Sequence, residues 1–210
     1  YRLMFNLTES EMGQTILGCG DGPASFNAEM AARGGQVISC DPVYSGEAGD
    51  IRQRFEAGGE AIMSQVRQKP QNYVWTYHSD PDDLLRNRRA VMKAFVADYP
   101  VGRRQGRYVA AALPRLPFAD GHFELALCSH LLFLYCDLLP LEFHLSAAGE
   151  LCRVARDVRI FPLVSLDCRP SPYVDAVVAH ARAVGCQAEI IRVNYELQRN
   201  GNQMMRMRQR

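Results

Sequence analysis

The stretch ILGCGDGPASFN, residues 16–27, decides the fold. An apolar run ends on Gly18, Gly20 and Gly22, and a helix-favouring segment follows. Glycines at such a bend reach backbone conformations closed to other residues and let a ligand approach the chain. Gly22-Pro23 suits a helix start, since glycine is accepted at the N-cap and proline is favoured at the first helical position. Phe26 and Met30 then stand one turn apart, and Gly34-Gly35 gives a C-terminal stop. Residues 37–41, VISCD, read as a second strand closed by Pro42. Residues 14–41 are therefore strand, bend, helix and strand, which implies a parallel pair.

Outward from this unit the rhythm breaks and then resumes. Residues 44–106 are polar, charged and helix-favouring, several times longer than an ordinary crossover. They read as a helical insertion. Ile51, Phe55, Ile62, Met63 and Val66 mark amphipathic helices broken at Gly58-Gly59, and a further helix starts near Pro81-Asp82. Between them lies an aromatic concentration, YVWTYH at 73–78, holding the single tryptophan. It reads either as packing of the insertion onto the sheet or as a lid over an apolar pocket. Strands follow at 108–112, 123–128 and 158–161, with helices at 143–155 and 173–184. Two closing strands, 188–193 and 203–207, are near enough in sequence to pair antiparallel. The prediction is one α/β domain over residues 1–210: a Rossmann-like, seven-stranded, mostly parallel sheet with its last strand antiparallel. Helices cover both faces, and the helical insertion falls at about 44–106.

Composition narrows the function. Of 210 residues 48% are hydrophobic and 22% charged, and the net charge is +1. No bulk charge draws the chain to nucleic acid or to an acidic membrane. No apolar stretch reaches the roughly 20 residues that span a bilayer, and no signal-peptide pattern opens the chain. The first residue is Tyr1, which leaves open a missing natural N-terminus and a targeting segment lost with it. Seven cysteines, an odd number without a C-x-x-C pair, read as reduced thiols in a cytoplasmic protein with no metal site. His78 and His144 read as plain surface or helix residues. The arginines from Arg192 onward read as a solvated edge strand.

In open α/β sheets ligands bind beyond the carboxyl ends of the strands, at the switch in strand order. Asp41 ends the second strand 23 positions after Gly18, which puts a carboxylate beside the glycine bend. There it can accept from two ribose hydroxyls, each charge-assisted bond contributing about 1.5–3 kcal/mol. A nucleoside ligand follows. The dinucleotide fingerprint G-x-G-x-x-G/A is not met, because Pro23 holds its third small position.

The segments ILGCGDGPASFNAEMAARGGQVISCDP, LPRLPFADGHFELALCSH and RIFPL together resemble a class I S-adenosylmethionine-dependent methyltransferase. The stretches GCGDGPASFNAE and LCSHLLFLY are similar to uncharacterised bacterial methyltransferase-like proteins. The resemblance implies S-adenosylmethionine as cofactor, with Gly18, Gly20 and Gly22 at its methionine end and Asp41 at its ribose. It also implies that the Leu116-Pro117-Phe118 turn and the 123–128 strand lead to the active-site mouth. Two acids usual in the family are replaced, by Ile16 and Ala112, and Glu124 stands for a common aspartate. Asp21 either substitutes for the lost charge near the cofactor's ammonium or merely complements a helix dipole. The loss at Ala112 leaves adenine to main-chain groups such as the Leu113 amide. The implied cofactor-binding set is Gly18, Gly20, Asp21, Gly22, Asp41, Pro42, Leu113 and Ser129. His130 is the expected general base, its competing role being a hydrogen bond to a neighbouring loop.

The expected protein is thus a cytoplasmic methyltransferase acting on a small-molecule acceptor, with no nucleic-acid or membrane partner. Its oligomeric state is left unspecified. The alternative is a non-catalytic nucleoside-binding protein. A nicotinamide-dependent oxidoreductase is disfavoured by Pro23 and the antiparallel closing strand.

Overall fold

The computed structural model describes residues 1–209. Its centre is β1, Thr15–Cys19, whose last four residues are all buried. Such a continuous apolar run belongs to a strand covered on both faces. β1 pairs in parallel with β2, Gln36–Cys40, on one side and with β4, Phe123–Ser129, on the other. Beyond β2 lies the two-residue β3, Tyr108–Val109. Beyond β4 come β5 (Ala155–Phe161), β7 (Gln203–Gln209) and finally β6 (Cys186–Arg192). The order is β3-β2-β1-β4-β5-β7-β6, a seven-stranded sheet in which β7 runs against both neighbours. The chain leaves β1 toward one edge and returns through β4 to build the other, so the strand order switches between β1 and β4.

Alternate residues face two cores. One face carries Leu17, Cys19, Ala126, Cys128 and Ile160 under α5 (Leu141–Val154) and α6 (Val174–Ala183). The other carries Ile16, Leu125, Leu127 and Phe161 under α2 (Phe26–Ala32) and an N-terminal segment ending in α1 (Glu9–Met12). That segment is tied down by Arg159, fully buried on β5, which donates to the Phe5 carbonyl at 2.8 Å and pairs with Glu11 and Asp157.

Between β2 and β3 the chain forms α3, Ala48–Gln68, and α4, Pro81–Arg104. Asp80 caps α4 through the Asp83 amide, and Pro81 takes the first turn. At the β3 edge Tyr44, Phe95, Tyr99 and Tyr108 form an aromatic cluster, and the Tyr99 hydroxyl donates to the carbonyls of Tyr44 and Gly46. At the opposite side the loop after α3 docks on the β6–β7 connection: the Val74 amide donates to the Leu197 carbonyl, and Tyr73 and Trp75 pack with Met63, Leu84 and Leu197. Tyr77 stacks on Tyr195 at 5.1 Å. The aromatics of 73–77 thus act as packing.

Four local expectations change. α2 starts at Phe26 with Ser25 at its cap position, because Gly22 at φ +54° prolongs the bend. α3 runs through Gly58-Gly59 without a break: Ile51 on one side and Met63 and Val66 on the other are buried, and together they hold the helix in place. β7 is an interior strand and not a solvated edge, with Met204, Met205 and Met207 buried and Arg206 paired to Asp157 at 2.5 Å. His144 is fully buried and not a surface residue.

Candidate functional site

The glycine bend is pinned from the β2 side. The Gly20 amide donates to the Cys40 carbonyl, and the Tyr44 hydroxyl donates to the Gly22 carbonyl at 2.6 Å. Gly20 sits at φ +67°, and a Cβ there would lie 2.7 Å from the Leu131 side chain, so only glycine fits without displacing it. The Asp41 carboxylate accepts from the Gly22 amide and from the Val43 amide, both at 2.9 Å. Each oxygen is therefore aimed by a main-chain donor and keeps a lone pair for another partner. Pro42 opens the 3₁₀ turn Pro42–Ser45 that supplies the second amide.

A cavity of about 420 Å³ opens beside this carboxylate, beyond the carboxyl ends of β1, β2 and β4. Gly20, Asp41, Pro42, Ala111, Ala112, Leu113, His130 and Tyr135 are among its lining residues. Of the expected cofactor set it brings together Gly20, Asp41, Pro42 and Leu113, with the expected base His130. Gly18, Asp21, Gly22 and Ser129 are not on its walls.

Asp21 turns the other way. Its carboxylate lies over Gly18, where a Cβ would stand 1.8 Å from Oδ2. It accepts from the Ser39 hydroxyl at 2.6 Å and from the Tyr1 phenol at 2.8 Å, while the Tyr1 ring stacks on Phe26 at 4.5 Å. Burial raises its pKa to about 6. The face of the bend over Gly18 is thus covered by the chain's own carboxylate and phenol.

His130 follows β4 with φ +54°, and its amide donates to the Phe161 carbonyl at 2.7 Å. Its Nδ1 lies 2.8 Å from the Ser129 hydroxyl, which leaves Nε2 as the unengaged ring nitrogen. Burial lowers its pKa to about 4, so the ring is neutral at pH 7. The loop that carries it depends on His144, which sequence reasoning missed. Its Nε2 accepts from the Phe133 amide at 3.0 Å, and its Nδ1 is 2.9 Å from the Pro140 carbonyl, to which it donates. A histidine four residues after a proline, at the start of a helix, was the available signal.

Cys19, on the cavity wall, lies 3.5 Å sulfur to sulfur from Cys40. Burial pushes the adjacent Cys128 thiol up to about 12. The Cys40 contact and burial raise the Cys19 thiol too, so Cys19 and Cys128 are packing thiols and not nucleophiles. No group of three or more His, Cys, Asp or Glu able to hold a metal ion is present among the described residues. No helix among them is long and apolar enough to cross a membrane.

No family model matches the chain. It is 28% identical over 209 residues to an uncharacterized protein of Methanocaldococcus jannaschii, covering 99% of this chain and 91% of that one. Among solved structures it is similar to magnesium protoporphyrin IX methyltransferase from Synechocystis PCC 6803 with bound SAH. That match has a TM-score of 0.49 at 12% identity, over 94% of this chain and 74% of that one. It is also similar to the 1,6-didemethyltoxoflavin-N1-methyltransferase of Burkholderia thailandensis, with a TM-score of 0.48 at 13% identity, over 94% and 71% of the two chains.

Proposed function

We propose that the protein is an S-adenosylmethionine-dependent methyltransferase acting on a small-molecule acceptor. The observation that carries this is the Asp41 carboxylate, aimed by two main-chain amides into a cavity at the switch in strand order. The residues fit the nucleoside half of the cofactor. Asp41 holds the two ribose hydroxyls, and Pro42, Leu113 and the Ala111–Ala112 backbone flank the adenine. The cradle at Gly20 lets the chain pass close beneath. At the amino-acid end Gly18, Gly22 and Asp21 receive the ligand once the Tyr1 phenol gives up Asp21, whose carboxylate then meets the ammonium.

Bound in this way, S-adenosylmethionine supplies a methyl group on a sulfonium centre. The chain supplies proximity and orientation, which lower such a barrier by about 7–11 kcal/mol. The Ser129 hydroxyl lies 2.8 Å from His130 Nδ1, and in the tautomer where it accepts from Nδ1–H the Nε2 is bare. His130 Nε2 takes the proton of the acceptor nucleophile as the new bond forms. A base with a pKa near 4 works well only on an acidic nucleophile or one losing its proton late. That same observation, with Ala112 on the adenine wall, favours the second reading, a nucleoside-binding protein without turnover.

Calorimetry with S-adenosylmethionine, S-adenosylhomocysteine and NAD tests the cofactor. Both sulfur nucleosides are expected to bind and NAD not. Asp41→Ala is expected to weaken S-adenosylhomocysteine ten- to a hundredfold, one or two charge-assisted bonds' worth. An unchanged dissociation constant removes Asp41 from the site. With an acceptor in hand, His130→Ala separates the two readings: lost turnover at unchanged cofactor affinity supports the base.

A further inference from the structure

We infer that the hollow between α3 and α4 is a second ligand site, apart from the cavity at Asp41. It takes a linear aliphatic acid, with the chain between the helices and the carboxylate at Lys93.

The stripe that α3 turns toward α4 reads Ile51, Phe55, Gly59, Met63 and Val66, at helical spacing. Ile51 and Phe55 pack with Met92, Phe95 and Tyr99 of α4 in one apolar cluster. Met63 and Val66 pack with Leu84 and Leu85 in another. The two helices thus meet at both ends of the stripe. In the middle, at Gly59, a hollow of about 380 Å³ lies between them, with Phe55, Leu85, Met92 and Val96 on its apolar walls. Gly59 is buried, yet a Cβ there would meet nothing within 4 Å. Glycine inside a helix costs stability, and nothing in the backbone or the packing requires this one. A contact that served only to pack would be filled at this position by a side chain.

The walls set the body of the ligand. The volume lies within the range of small-molecule sites, about 300–1,000 Å³, and an apolar hollow takes an apolar guest in preference to water. Its lining runs along α4 from Leu85 to Val96, about 16 Å of helix axis. A hollow of this volume drawn out over that length is narrow, which suits an alkyl chain and not a fused ring system.

The lip sets the head group. Arg52, Arg89 and Lys93 stand there with Glu56 and Glu60, all exposed. Arg52 pairs with Glu56 at 3.8 Å and Arg89 with Glu60 at 3.5 Å. Among the described residues Lys93 has no ion-pair partner, so the lip carries one unbalanced positive charge. A single carboxylate balances it, and a cationic head would add to it. No residue lines both this hollow and the cavity at Asp41, so the site does not depend on the methyltransferase reading.

The test is calorimetry on the full chain with three probes: decanoate, decyltrimethylammonium with a like tail and the opposite charge, and acetate with the head alone. Decanoate is expected to bind at one saturable site, about ten times or more tightly than decyltrimethylammonium, and acetate not detectably at the same concentrations. Gly59→Leu puts a side chain into the hollow and is expected to weaken decanoate about tenfold or more. Gly58→Leu, on the exposed side of α3, is expected to leave it unchanged. Lys93→Glu reverses the charge at the lip and is expected to weaken decanoate roughly threefold or more. Lys93 is exposed, so this variant serves alone if Gly59→Leu melts below the assay temperature. No binding of decanoate, uptake without saturation, equal binding of the cationic probe or of acetate, or an unchanged decanoate affinity in Gly59→Leu or in Lys93→Glu overturns the proposal. Equal losses in Gly58→Leu and Gly59→Leu overturn it too, since they trace to the helix and not to the hollow.

Discussion

Asp21 and His130 are perturbed in opposite senses by the same cause, burial. Asp21, raised to about 6, binds its proton more tightly folded than unfolded, so its contribution to stability is present at low pH and is lost as pH rises through 6. His130, lowered to about 4, is neutral in the fold where an unfolded histidine is charged. Its contribution is present above about pH 6.5 and is lost as pH falls toward 4. Between about pH 4 and 6 the two slopes, each on the order of 1.4 kcal/mol per pH unit, oppose one another. Urea unfolding across this range is expected to show it. Asp21→Asn should lose stability on acidification more steeply than the native chain, and His130→Gln less steeply. A native slope retained by both variants would show that neither group is perturbed. Asp41 was legible in the sequence because a strand end fixes where its side chain goes. Asp21 was not: it fills the space that Gly18 lacks a side chain to occupy, under a phenol 20 positions away in the chain.

Elements were legible wherever local chemistry decides them. The alternation of apolar runs with capped helices fixed the strands, and Pro81-Asp82 marked the start of α4 within a residue. Two of the misreadings were contests between local propensity and packing. Glycine in a helix interior costs about 0.5–1 kcal/mol, and a pair of them reads as a stop. In α3 the buried residues on either side outweigh that cost. A Cβ added at Gly58 or at Gly59 meets nothing within 4 Å. Gly58→Ala and Gly59→Ala are therefore each expected to stabilise the protein by about 0.5–1 kcal/mol, read as a rise in melting temperature at unchanged S-adenosylhomocysteine affinity. Destabilisation by either would mean that α3 is not continuous there. The other misreading was the place of β7. Its arginines suggested an edge, but register is set by methionines at 204, 205 and 207, which the core needs, and the arginines find acids on β5 and β6.

At the scale of the molecule, two segments lie over the carboxyl ends of the strands or beside them, and they are held differently. The α3–α4 segment is fastened at both sides, through Tyr99 at the β3 edge and through Val74 at the β6–β7 connection. The N-terminal segment is held by the buried Phe5 and Leu7 and by one buried cation, Arg159, shared by Glu11, Asp157 and the Phe5 carbonyl. Burial works against the Glu11 carboxylate, but the Arg159 bonds and the Thr8 amide outweigh it and bring its pKa down to about 2. The support it gives is complete above about pH 4.5 and is lost only as pH falls toward 2. Removing one partner of a buried pair leaves an uncompensated charge, at a cost of about 3–5 kcal/mol. In Glu11→Ala, Asp157 and the Phe5 carbonyl stay with Arg159. At pH 7 the variant is therefore expected to destabilise by less than the roughly 3–5 kcal/mol of a fully unpaired buried charge. Hydrogen exchange should show where the loss falls: amides of residues 5–14 lose protection first, while β1, β4 and β5 keep theirs under mild conditions. Since the same segment lays Tyr1 on Asp21, its loosening should also uncover that carboxylate, so S-adenosylhomocysteine should bind the variant at least as tightly as the native chain. Protection lost evenly across the sheet would mean that the segment is part of the central core and not a cover. Weaker binding would mean that the Tyr1–Asp21 contact builds the pocket and does not close it.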